Sequence, residues 1–317
     1  MRAYAFRPFI VTDTPPANSR FLSPRYWPTW LVLGLMWCLA QLPFRAQLAL
    51  GRGLGRLLNI VGGRRRHIAE VNLRLCLAEL SDSERRRLLS KHLESVGLAV
   101  VETAMSWFTA TEKLRPRVQV EGLEHLHAAY ARGNGAIVLM GHFTTMELIA
   151  RLLSMHTPLH ATYRQHKNPL YQRYQEAAHR RYCAAIVPHT DMRAMYRALK
   201  NNQALWYAPD QNYAGKLSGF APFFGVPAAT ITATSRIAQT SGAPVIPLLA
   251  QRLPGDAGYR LTLQPPLADY PSGDLIADAT RINQTIEAQV RRIPEQYLWV
   301  HRRFKTRPPG APDVYRE

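Results

Sequence analysis

Three short apolar runs, Ala136–Met140, Ala204–Ala208 and Pro244–Ala250, constrain the fold of this chain more than any other feature. Each is bounded by turn-forming residues and carries no charge, so each reads as a strand buried on both faces. Helical patterns lie between and around them at Met146–Ser154, Leu170–Arg181, Met192–Lys200 and Thr230–Thr240, and a last helix, Asp274–Ile293, stops at Pro294. Tyr259–Leu263 alternates apolar and polar residues, the pattern of an edge or antiparallel strand. This alternation specifies an α/β fold with a mostly parallel central sheet flanked by helices. In such folds, sites form beyond the C-terminal ends of the strands. His142 and Asp210 both follow such ends closely.

A different composition precedes the α/β pattern. Residues 1–25 form a basic segment, and residues 26–44, YWPTWLVLGLMWCLAQLPF, contain no charge. As one helix those residues would rise ~28 Å, close to the ~30 Å of a bilayer's hydrocarbon core. Trp27, Trp30 and Trp37 add interfacial anchors. The expectation is a membrane-associated or transmembrane helix. Arginines on both sides of it give no orientation. The rest, 45–317, reads as one domain with a helical lead-in (45–115) and an α/β core (116–317). In the lead-in, Gly51, Gly53 and Gly55 follow no strand and lack dinucleotide-binding spacing, so close helix packing is the expectation. Ser81 and Glu84 resemble a capping box that opens the next helix.

The net charge of +18, from 40 Lys and Arg against 22 Asp and Glu, calls for an anionic partner: nucleic acid, phospholipid headgroups or an acidic carrier protein. A hydrophobic content of 47% excludes a disordered basic tail. The three cysteines are widely separated and suggest neither a disulfide framework nor a zinc site.

His142 and Glu147, in GHFTTMELIAR, are the candidate catalytic pair. Residues five apart on a helix differ by about 140°, so the two cannot share one helical face. They meet if His142 lies in the strand-to-helix loop and Glu147 in the first turn, with Thr144 or Thr145 near the N-cap. The helix dipole would then keep His142 neutral as a general base, and Glu147 would orient it. The pattern is short and common, and a helix-capping His beside a salt-bridging Glu is its ordinary meaning. No GxSxG elbow, P-loop or metal-ligand spacing among the eleven histidines competes with it.

Longer segments narrow the choice. FLSPRYWPTWL (Phe21–Leu31), ESVGLAVVETAMSWF (Glu94–Phe108), GHFTTMELIAR (Gly141–Arg151), YRQHKNPLY (Tyr163–Tyr171), LWYAPDQNY (Leu205–Tyr213), APFFGVPAATIT (Ala221–Thr232) and PEQYLWVHRRFKTRPPG (Pro294–Gly310) strongly resemble the lipid A late acyltransferases of Gram-negative bacteria, of the lauroyl-transferase type, within the lysophospholipid acyltransferase superfamily. The resemblance implies transfer of a fatty acyl group from acyl carrier protein to a hydroxyacyl chain of a Kdo-linked lipid A precursor. It also implies an inner-membrane enzyme whose active site faces the cytoplasm, with His142 and Glu147 catalytic and no cofactor or metal. Arg164 becomes a candidate for binding lipid A phosphate or Kdo carboxylate. Asp210 matches a position tied to activity, where it would position the acceptor or pair with an Arg. The family's functional arginine near the end of the Leu170–Arg181 helix aligns with His179, leaving Arg180 as the candidate in its place. Arg302, Arg303 and Lys305 are candidates for anionic contacts, with packing by Trp299 and Phe304 as the competing reading. Two rivals stay open: acyl transfer to a lysophospholipid or amino-acid lipid, and a basic membrane-surface or nucleic-acid-binding protein without catalysis. Nucleic acid is disfavoured, because the basic residues accompany an apolar anchor and form no known binding motif.

Overall fold

The computed structural model describes residues 19–316, so most of the basic segment expected at 1–25 lies outside the described residues. Helix α1 spans Trp27–Gln41 and α2 spans Phe44–Val61, with Leu42 and Pro43 extended between them. Pro43 lacks the amide that would continue α1 and instead starts the next helix. The uncharged stretch is therefore broken. Fifteen residues rise only about 22 Å, and among the described residues no helix is long and apolar enough to cross a membrane. Leu33, Met36 and Ala40 are buried, the first two in a cluster with Phe21, Trp107 and Leu170, whereas Trp27, Leu31, Val32, Leu35 and Trp37 are exposed.

Helix α3 (Gly63–Cys76) leads to α4 (Asp82–Phe108), which the expected capping box opens. The Glu84 amide donates to Ser81 Oγ over 3.3 Å, and the Ser81 amide donates to Glu84 Oε2 over 2.8 Å. The lead-in glycines act as expected at two of three positions. A Cβ on Gly55 would lie 2.3 Å from Glu94 Cα, and one on Gly97 would lie 2.3 Å from the Gly51 carbonyl oxygen. Only bare backbone lets α2 and α4 pack so closely. Gly53 faces open space.

A short α5 (Thr111–Leu114) precedes β1 (Val118–Glu121) and α6 (Leu123–Ala131). The core then runs β2 (Ala136–Leu139), α7 (Met146–Ser154), β3 (Leu159–Tyr163), α8 (Pro169–Arg180), β4 (Ala185–Pro188), α9 (Met192–Lys200) and β5 (Ala204–Tyr207). A hairpin of β6 (Ser218–Phe223) and β7 (Val226–Ile231) follows, then α10 (Ala233–Ser241), β8 (Val245–Arg252), β9 (Tyr259–Leu263) and α11 (Leu275–Arg292). The seven-stranded sheet has the order β1-β9-β8-β2-β5-β3-β4. All its pairings are parallel except β8 with β9. The three apolar runs are the adjacent strands β8, β2 and β5, and every residue of β2 and β5 is buried.

The hairpin is the main departure from expectation. Helix α10 starts at Ala233 and not at Thr230, because Val226–Ile231 pairs back on Ser218–Phe223. Phe224 and Gly225 both have positive φ, as a two-residue turn of this kind needs. The strained Phe224 is held by its amide, which donates to Glu287 over 2.8 Å.

A buried polar network ties α4 to the sheet. Arg252 forks onto Glu102 with bonds of 2.6 and 2.8 Å, and the Tyr259 hydroxyl donates to Glu102 over 2.8 Å. Arg252 also donates to Ser95 Oγ, which lies 2.7 Å from Thr144 Oγ1 in the loop after β2. The core thus anchors the segment that carries the candidate histidine.

Candidate active site

Strands β2 and β5 are parallel and in register, with Leu139 opposite Tyr207. His142 and Asp210 each lie three residues beyond that pair, so the register alone brings them side by side. The His142 ring donates from Nδ1 to Asp210 Oδ1 over 2.5 Å, and the His142 amide donates to Oδ2 over 2.8 Å. The Tyr297 hydroxyl completes the set, donating to Oδ2 over 2.9 Å. With Nδ1 committed as a donor, Nε2 is the nitrogen left to accept a proton. Burial pushes the Asp210 carboxyl up, but the adjoining His142 and the bonds from His142 and Tyr297 outweigh it and bring it down to about 2. The carboxylate is therefore charged at neutral pH and able to stabilise an imidazolium.

The C-terminal segment fixes this loop. The Thr144 amide donates to the Gln296 carbonyl (2.8 Å), and the Leu298 amide donates to the His142 carbonyl (2.9 Å). Burial and the nearby His142 push the His301 imidazole down to about 4. As a neutral ring, its Nε2 accepts from the Asn212 amide over 3.1 Å.

Glu147 does not provide the expected support for His142; Asp210 takes that part. Glu147 sits in the first turn of α7, after Thr145 at the N-cap, and its carboxylate meets α4 and α8. Its Oε1 accepts from Trp107 Nε1 (2.7 Å), His179 Nε2 (2.7 Å) and the Tyr182 hydroxyl (3.2 Å). The reason is geometric. Glu147 is aimed by a helix that turns away from the loop, whereas Asp210 is delivered by the neighbouring strand. Burial would raise the Glu147 carboxyl, but the His179 charge and the three donated bonds hold it below its ordinary value.

His142 and Glu147 both line one cleft of about 460 Å³. Arg164, just past β3, lines it too, with Met146, Ala150, Trp206 and Ile231 among the apolar wall. The Arg164 side chain is exposed, and among the described residues no carboxylate forms an ion pair with it. Arg180, by contrast, is exposed at the end of α8 and is not part of the cleft wall. One residue earlier, His179 points inward onto Glu147, so the helix phase favours His179 over Arg180 at this position. Asp210 pairs with His142, not with an Arg. In HRRFK, Arg303 is buried and donates to the Ala229 carbonyl and Thr230 Oγ1, while Trp299 and Phe304 are fully buried. For these three residues the packing reading holds.

The arrangement has the parts that general-base chemistry requires. A buried carboxylate fixes one imidazole nitrogen, and the ring lies on a cleft with a largely apolar wall and a free guanidinium. Among the described residues no group of three or more His, Cys, Asp or Glu side chains is placed to hold a metal ion. Sequence reasoning did not single out Trp107, Tyr182 or Tyr297. The matching segments ESVGLAVVETAMSWF and PEQYLWVHRRFKTRPPG contained two of them, but nothing local distinguished either ring from a core aromatic.

Comparison with known proteins identifies the family. Residues 14–306 match the family described as bacterial lipid A biosynthesis acyltransferase. The chain is 39% identical over 306 residues to a lipid A biosynthesis lauroyltransferase of Escherichia coli strain K12, covering 96% of this chain and 100% of that protein. It is 40% identical over 299 residues to a lipid A biosynthesis palmitoleoyltransferase of the same organism, covering 94% and 97%. A lipid A biosynthesis myristoyltransferase, also from that strain, is 28% identical over 306 residues, covering 95% and 94%. On the family match and the near end-to-end identity, this chain belongs to the bacterial lipid A biosynthesis acyltransferase family and is an acyltransferase of lipid A synthesis.

Proposed function

We propose that this acyltransferase moves a fatty acyl chain, lauroyl or similar in length, from the thioester of acyl carrier protein to the hydroxyl of a hydroxyacyl chain on a Kdo-linked lipid A precursor. The observation that carries the reading is His142, held through Nδ1 by the buried Asp210 on the wall of the cleft. In this reading Nε2 takes the acceptor hydroxyl's proton as its oxygen attacks the thioester carbonyl. Asp210 stabilises the imidazolium that forms, and the departing carrier thiolate recovers the proton as the tetrahedral intermediate collapses. The new ester bond replaces the thioester without a covalent enzyme intermediate. Glu147 positions the acceptor from the wall of the same cleft, and the Arg164 guanidinium binds a phosphate or carboxylate of the lipid A precursor.

In this reading the active site works at the cytoplasmic face of the inner membrane, and the chain's exterior supports contact with a membrane surface. Trp27, Leu31, Leu35 and Trp37 on α1, and Leu50, Leu57 and Ile60 on α2, expose apolar side chains. Arg25, Arg45 and Arg56 lie exposed on the same segment. Apolar side chains with flanking arginines suit a helix pair lying in the headgroup region of an anionic bilayer.

A defined acyl carrier protein thioester, incubated with a tetra-acylated Kdo-lipid A precursor and read by mass spectrometry, tests the reaction. The wild-type protein should add one acyl chain, and His142→Ala should reduce the rate by roughly 10²–10⁴-fold, the usual contribution of a positioned base. Wild-type transfer by His142→Ala would discard the mechanism. Acylation of a lysophospholipid with the lipid A precursor left untouched would discard the acceptor.

A further inference from the structure

We propose that helices α9 and α10 form the docking surface for an acidic carrier protein, and that this acyl donor and the lipid acceptor reach the cleft from opposite faces of the sheet. The inference rests on the reading that the acyl group arrives as a carrier-protein thioester.

Both helices begin at the cleft. Met192, the first residue of α9, and Ala233, the first of α10, line its wall. Away from that wall the two helices turn cations outward. Arg193, Arg197 and Lys200 recur at helical spacing along α9, opposite its buried Met195, Ala198 and Leu199. Arg236 lies exposed on α10, which packs against α9. Among the described residues none of these four side chains forms an ion pair. Neither helix contains an Asp or Glu, and Asp191, at the N-cap of α9, is taken up by the Ala194 amide over 2.9 Å. Helix stability does not explain the charges, because Arg193 and Arg236 stand in first turns, where the helix dipole disfavours a cation. Four unpaired cations beside the cleft are complementary to an acidic surface.

The strand order separates this surface from the apolar helices. The chain steps from β2 past β5 to β3 and on to β4, then turns back to β5 and β8. Right-handed crossovers therefore place α7 and α8 on one face of the sheet and α9 and α10 on the other. Helices α1 and α2 belong to the α8 side. Leu33 and Met36 of α1 cluster with Leu170 and Ala178 of α8, and α2 packs on α4, which packs in turn on α7 and α8. The exposed large apolar side chains follow the same division: they concentrate on α1 and α2, and α9 and α10 have none. Helices that lie on a membrane bring apolar side chains as well as basic ones. Helices α9 and α10 therefore suit a soluble acidic partner, whereas a lipid acceptor enters from the α1 side.

The test is steady-state transfer by the full chain in mixed micelles, with the carrier-protein thioester and the lipid acceptor varied in turn. Arg193→Glu/Arg236→Glu should raise KM for the carrier thioester roughly tenfold and leave kcat and the acceptor KM unchanged. Added salt should raise the wild-type donor KM, and that dependence should weaken in the variant. Glutamates in first turns favour the helix dipole, so the variant should keep the wild-type thermal midpoint. Arg193→Ala/Arg236→Ala should show a smaller rise in the same direction, and binding to anionic phospholipid vesicles should match the wild type in both. An unchanged donor KM with unchanged salt dependence in a folded Arg193→Glu/Arg236→Glu protein would overturn the proposal. A loss confined to the acceptor KM or to vesicle binding would overturn it too, by assigning the surface to the membrane. Failure of the carrier-thioester reading looks different: the wild type itself would transfer no acyl group from the carrier protein.

Discussion

Two imidazole–carboxylate pairs face the same cleft, and they are built in opposite order. In the first, the His142 side chain is 22% exposed and Asp210 is 0% exposed; in the second, Glu147 is 23% exposed and His179 is 10% exposed. The first therefore offers an imidazole backed by a hidden carboxylate, and the second a carboxylate backed by a more buried imidazole. Only an imidazole with one nitrogen fixed and the other available serves as a base near neutral pH. A carboxylate already bonded on Oε1 by three donors is better suited to holding a polar group than to taking a proton from it. What each pair can do is decided by which member reaches the substrate.

This contrast makes unequal predictions. The largest effect after removal of His142 itself belongs to Asp210→Asn. An amide cannot reproduce the charge and would permit the wrong ring tautomer, so kcat should fall by roughly 10³-fold with KM little changed. Glu147→Gln should be milder, roughly ten- to hundredfold, and should appear partly in KM if Glu147 positions the acceptor. Steady-state kinetics with varied acceptor separates the two. Equal losses, confined to kcat in both variants, would make the pairs one functional unit. The double variant sharpens this further: independent pairs multiply their effects, whereas a shared function gives a double loss no larger than that of Asp210→Asn alone.

The difference between the pairs also explains what could be read in the sequence. The strands that carry the first pair were legible, because β2, β5 and β8 are uninterrupted apolar runs. So were α7 and α9, whose bounds match the helical pattern at Met146–Ser154 and Met192–Lys200. The partnership of His142 with Asp210 was not legible. The two residues are 68 apart, and only the β2–β5 register brings them together. Proximity in sequence pointed to Glu147, but a helix that starts at Met146 aims that side chain at α4 and α8. The β6–β7 hairpin was missed because its prolines and Phe224-Gly225 turn interrupt any strand pattern, and its Thr-rich end passed for the start of α10. Strands β3 and β4 went unassigned for a related reason: LHATY mixes polar residues with apolar ones, and AIVP is four residues ending in proline.

The smallest predicted effect probes how the first pair is held. Tyr297→Phe removes one of the donors to Asp210 and leaves the bonds from the His142 amide and ring in place. The cost should be about 1 kcal/mol in stability, the net value of one buried hydrogen bond, and the rate should fall only a few-fold. The sign of the pH dependence follows from the lowered Asp210 carboxyl. Its ordinary value is 3.8 and its folded value is about 2, so its contribution to stability is complete above the ordinary value and is lost as pH falls towards about 2. Without the Tyr297 donor the folded value should move up towards the ordinary one, and the acid loss of stability should begin at higher pH. Chemical denaturation midpoints of wild type and Tyr297→Phe from about pH 5 down to about pH 2 measure this shift. A rate loss in Tyr297→Phe as large as that of Asp210→Asn would mean that the phenol contributes to the reaction beyond its support of the carboxylate.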